Sequence, residues 1–129
     1  MNLEFRRIGK NEKRLLDFLI AKSKIPLDLP KDWEERLWVA ALDHMGGLRL
    51  RIEPDDREDH GPDYPVSACC FDDMDGIPVY AMLFLLRKDD HLYELDLWKV
   101  NDEPLIKIAD EFEEDKEFFL LEEDEMLET

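Results

Sequence analysis

Disulfide chemistry is all but absent from this chain. It has two cysteines in 129 residues, and they are neighbours, Cys69 and Cys70. On a strand, adjacent side chains point to opposite faces, and a disulfide between them would need distorted geometry. Two reduced thiols packed as small hydrophobes are therefore expected. There is no Cys-x-x-Cys, and the three histidines, His44, His60 and His91, never fall three or four residues apart. Both absences argue against a zinc site. With five glycines and no glycine-rich loop leading into a helix, no phosphate-binding motif is present. The longest apolar stretch, Ile77 to Leu86, is far too short to span a bilayer. The start, Met1 to Arg7, carries charge with no apolar run behind it, unlike a signal peptide. A cytoplasmic protein needing no metal and no other cofactor is the expectation.

What the chain has in excess is negative charge. Its net charge is −17, and 40% of its residues are charged against 44% hydrophobic. At this length one domain with one core is expected. The charge is uneven. Residues 1–52 hold 11 Lys/Arg and 8 Asp/Glu, residues 53–109 hold 5 and 15, and residues 110–129 hold 1 and 11. A mildly basic beginning is thus followed by two segments of net −10 each. Such a field repels nucleic acid and anionic membrane and favours a basic protein partner. The basic cluster Arg6, Arg7, Lys10, Lys13 and Arg14 is read as an internal partner for the acidic C-terminal segment.

The apolar pattern predicts an α+β fold. Leu15, Leu16, Leu19 and Ile20 recur at helical spacing over 11–24, with Asn11 as the cap. Residues 31–37 read as a short helical turn and 37–43 as a strand. Gly46-Gly47 marks a turn, and Leu48, Leu50 and Ile52 alternate with Arg49 and Arg51 in a half-buried strand. Residues 53–65 form a charged loop. Three strands follow: Pro65–Asp72, then Ile77–Arg87 after an Asp75-Gly76 hairpin turn, then His91–Val100 after a turn at Asp89-Asp90. Ile77–Arg87 is apolar on both faces and is expected to be central and covered twice. Residues 105–109 are apolar but of no clear type, and Phe118–Leu121 reads as an edge strand or a docked segment. The outcome is an N-terminal helix packed on an antiparallel meander of about five strands. Residues 1–109 form one domain, with the acidic segment 110–129 docked on it.

The candidate site lies in Leu92-Tyr93-Glu94-Leu95-Asp96-Leu97-Trp98-Lys99-Val100. Alternation sends Tyr93, Leu95 and Leu97 to one face and Glu94, Asp96 and Trp98 to the other. Two carboxylates beside a tryptophan make an acidic strip with an aromatic anchor, suited to Arg or Lys of a partner. Asp55, Asp56, Glu58 and Asp59 in the charged loop supply a second acidic surface. Two competing readings stand beside this one. The strip is satisfied internally by Arg49 and Arg51 on a neighbouring strand, or Glu94 and Asp96 serve as an acid–base pair, for which no further catalytic group is evident. Asp72-Asp73-Met74-Asp75-Gly76 lacks the later ligands and flanking helices of a calcium loop and is read as a hairpin turn.

Arg6/Arg7 with Glu12, Gly46-Gly47, Asp73-Met74-Asp75-Gly76, Glu94-Leu95-Asp96-Leu97-Trp98-Lys99 and Pro104-Leu105 together resemble an uncharacterised bacterial family of short domains. The resemblance spans residues 6–108 and implies no established activity. In size, acidity and α+β make-up the chain is similar to immunity proteins of polymorphic toxin and contact-dependent inhibition systems. That similarity implies a non-catalytic inhibitor of a basic toxin domain. A self-associating structural domain is the remaining alternative.

Overall fold

The computed structural model describes residues 3–53, 63–86 and 91–115. Helix α1 spans Lys10–Ala21 and buries Leu15, Leu16 and Leu19 completely. Its cap is Gly9, not Asn11. The Gly9 N–H donates to Glu12 Oε1 at 2.8 Å, so the third helical residue closes the open end of the helix. Asn11 lies inside the first turn and accepts from Arg14 Nη1. Burial opposes the Glu12 charge, but the bidentate Arg6 guanidinium and the Gly9 N–H hold its carboxyl below the usual range. The helix ends at Ala21, and Lys24 then donates its N–H to the Val66 carbonyl. A single turn, α2 (Trp33–Arg36), tucks Trp33 against the core before the sheet begins.

Among the described residues six antiparallel strands follow: β1 (Leu37–Ala41), β2 (Leu48–Ile52), β3 (Asp63–Asp72), β4 (Pro78–Leu86), β5 (Leu92–Lys99) and β6 (Glu113–Glu114). Their order is β1-β2-β5-β4-β3-β6. The fold is α+β, with β3-β4-β5 as the meander and the β1–β2 hairpin added on the β5 side. Gly76 turns the β3–β4 hairpin at φ +81. Gly46 turns β1–β2 at φ +96, and a Cβ there would sit 2.9 Å from Leu105 Cδ2. Only glycine meets both demands.

β4 is central, between β3 and β5, but among the described residues only one of its faces is covered by a helix. Val79, Ala81, Leu83 and Leu85 are buried under α1, whereas Tyr80 is 40% exposed and Met82 and Phe84 are half-buried. A single 12-residue helix is only ~18 Å long and covers one face of a sheet. The apolar residues of the second face shield one another instead.

Residues 105–109 form no ladder. They belong to an extended strap that leaves β5, runs on the helix-covered side and reaches the far edge of the sheet. Ile108 is buried, and Phe112 packs edge-on against Phe18 (5.4 Å) and Phe71 (5.7 Å). The strap then pairs as β6 with Cys69 and Cys70 of β3. Arg14 Nη2 donates to the Ala109 carbonyl at 2.6 Å and meets Asp110 at 3.4 Å, and Lys24 meets Glu114 at 3.4 Å. Of the basic cluster only Arg14 is seen to meet the start of the acidic segment: Arg6 pairs with Glu12, Lys13 with Asp17 and Glu34, and Arg7 stacks over Trp38. The predicted turn at Asp89-Asp90 and the segment Phe118–Leu121 lie outside the described residues.

Candidate functional site: the open face of the sheet

Period-two alternation places Glu94, Asp96 and Trp98 on the face opposite α1, directly across from Phe84, Met82 and Tyr80 of β4. Among the described residues no helix lies over them. Trp98 is 47% exposed and stacks on Tyr80 at 6.1 Å between ring centroids. Its indole N–H donates to Asp102 Oδ1 at 3.1 Å, and Asp102 adopts φ 61 in the turn that ends β5. Asp55, Asp56, Glu58 and Asp59 lie outside the described residues.

Tyr93 departs from the expected pattern. The β4–β5 register shifts between Phe84 and Leu85, so that Tyr93 is the extra residue. Its ring lies 4.1 Å from the Arg49 guanidinium, on the side of Glu94 and not of Leu95. Arg49 stands directly opposite Glu94 and pairs with it at 3.7 Å. Arg51 is spent differently, stacked over Phe5 at 4.1 Å, and Arg7 caps Trp38 at 4.0 Å. The internal neutralisation therefore extends to Glu94, while Asp96 has no ion pair among the described residues. Burial, then the Asp96 charge, raise Glu94 despite Arg49. Burial, then Asp43, raise Asp96.

A raised carboxyl weakens the fold when charged. Asp96→Asn is accordingly expected to leave thermal stability at neutral pH unchanged or slightly higher. The wild type should gain on the variant as acid titrates Asp96 above its ordinary 3.8. Calorimetric melts at neutral and mildly acidic pH check this; a clear loss at neutral pH would contradict it.

A second cluster, which strand alternation alone does not reveal, lies on the core side. Lys99 shares the parity of Leu95 and Leu97, and its side chain is 1% exposed. It donates to Asp75 Oδ2 at 2.7 Å and pairs with Asp73 Oδ2 at 2.9 Å. Hydrogen bonding to Asp75 raises Lys99 above its ordinary value against the effect of burial, and Asp73 adds to it. Asp73, fully buried, also accepts the N–H groups of Met74 (2.7 Å), Ile106 (2.8 Å) and Lys107 (3.0 Å). The Asp73–Gly76 turn thus ties the strap to the end of β5. The available signal was a lysine at a core-facing strand position, which is rare unless paired.

Cys69 faces the core and Cys70 the other side, both as free thiols; burial pushes Cys69 up to about 12. Among the described residues no three His, Cys, Asp or Glu side chains gather to hold a metal, and no helix is long and apolar enough to cross a membrane.

Fold and site together define an α+β domain whose antiparallel sheet, among the described residues, is covered by a helix on one side and presents an aromatic and acidic strip on the other. Residues 5–109 match a family described as a domain of unknown function, DUF6984, and the chain belongs to that family. No curated protein and no solved structure matches it.

Proposed function

We propose that this is a non-catalytic protein-binding domain acting in the cytoplasm, an immunity-type inhibitor that holds a basic bacterial toxin domain on its open sheet face. The observation that carries the reading is the exposed Trp98–Tyr80 stack beside Asp96, a carboxylate with no ion pair among the described residues. Exposed aromatic anchors next to unspent charge are what a docking protein needs. The net charge of −17 would steer a cationic partner and oppose nucleic acid. The loop carboxylates Asp55, Asp56, Glu58 and Asp59 would extend the acidic surface.

The test is co-expression with a basic toxin domain encoded beside this protein. Protection of the cells and a stable complex are expected, with an association rate that falls by roughly tenfold or more between low and physiological salt. A neighbouring toxin that neither binds nor is neutralised would end the reading.

A further inference from the structure

We propose that Trp98, Tyr80 and Asp96 form a receptor for one arginine side chain of the partner. This deepens the reading of the open face as a protein-binding surface and rests on it. Three of the other aromatics around this face are already occupied, while Phe84, half-buried opposite Glu94, carries no cation among the described residues. Trp38 carries the Arg7 guanidinium at 4.0 Å, Phe5 carries Arg51 at 4.1 Å, and Tyr93 carries Arg49 at 4.1 Å. Each of these rings has an arginine from within the chain. Among the described residues no cation lies over Trp98 or Tyr80, and these are the exposed pair, at 47% and 40%.

The counter-charge is in place. Asp96 lies two residues from Trp98 on the same strand face, ~7 Å along the strand, within reach of one guanidinium resting on the indole. The indole is held before any partner arrives: its N–H is bound to Asp102 and it stacks on Tyr80, with 26° between the ring planes. Little ordering remains for the binding step. Arginine fits better than lysine, because its planar guanidinium stacks on a ring while its N–H groups point in-plane to a carboxylate.

The test uses the full chain labelled with nitrogen-15, in which three tryptophans give three indole N–H signals. Trp98→Phe assigns the Trp98 signal and keeps an aromatic ring for stacking. Two blocked peptides are titrated at the same salt, acetyl-Gly-Arg-Gly-Arg-Gly-amide and its lysine analogue. The arginine peptide should move the Trp98 signal and bind roughly fivefold to tenfold more tightly than the lysine peptide. Asp96→Asn should remove most of that preference while the spectrum stays that of a folded protein. Equal binding of both peptides at Trp98 overturns the inference and leaves the basic-partner reading standing. A Trp98 signal unmoved by either peptide also overturns it, and toxin neutralisation, measured separately, then decides the broader reading.

Discussion

Replacing Asp73 with asparagine should lower the thermal midpoint by about 10–15 °C, the largest loss expected from any near-isosteric change in this chain. The Asp73 carboxylate accepts from four donors at once: Lys99 and the N–H groups of Met74, Ile106 and Lys107. An amide has one accepting oxygen, and its NH2 would be turned against a donor. Lys99 would stay buried with Asp75 as its remaining counter-ion, and the strap would lose its anchor at Ile106 and Lys107. The strap carries Ile108 and Phe112 into the core, so the damage should spread beyond the turn.

The pH dependence follows from the same contacts. Burial would raise Asp73, but the Ile106 N–H, the Lys99 ammonium and the Lys107 and Met74 N–H groups overcome it and hold the group at about 2, against an ordinary 3.8. A carboxyl depressed in the folded state contributes stability that is complete above about 4 and lost as pH falls through about 2. Wild-type melts should show that loss between pH 4 and pH 2, and Asp73→Asn should flatten it. An unchanged midpoint and an unchanged acid slope would show that the strap is held by packing alone.

Trp98→Ala is expected to act in the opposite compartment. It should lower the melting midpoint by only a few degrees, because the Tyr80 stack and the Asp102 bond are lost but almost half of Trp98 is already in water. Affinity for a basic partner should fall about thirtyfold, the effect of removing a tryptophan hot spot. Trp38→Ala is the matched control. Trp38 lies on the same sheet face but is capped by Arg7, and its loss should weaken binding far less. Titration calorimetry of both variants against one partner separates the two; equal losses would mean that the face binds without using the Trp98 stack.

Much of the fold was legible because it depends on local alternation. Leu15, Leu16 and Leu19 mark the helix, and Asp75-Gly76 marks its hairpin. Glu94, Asp96 and Trp98 share a face because a strand repeats every two residues. The errors share a physical origin as well. Ile77–Arg87 looks doubly buried because its residues are apolar on both faces, but whether a second layer covers them depends on the rest of the chain. Alternation alone puts Tyr93 with Leu95 and Leu97, but a bulge shifts parity by one residue, and apolar periodicity carries no mark of it. Asn11 looked like a cap because Gly9 has no side chain to advertise itself.

The sequence by itself determined the class of the domain, the sign of its field and which side chains of β5 point together, since all three follow from composition and from spacing along one strand. Only the tertiary structure decided which charges remain available. Docking of β2 on β5 put Arg49 against Glu94, a stacking contact drew Arg51 to Phe5, and closure of the strap enclosed Lys99 between Asp73 and Asp75. Electrostatic partners are chosen across space at a few ångströms, so residues 20 to 50 positions apart settle each other's charge. Asp96, without an ion pair among the described residues and two positions from Trp98, is where an external cation is expected to bind.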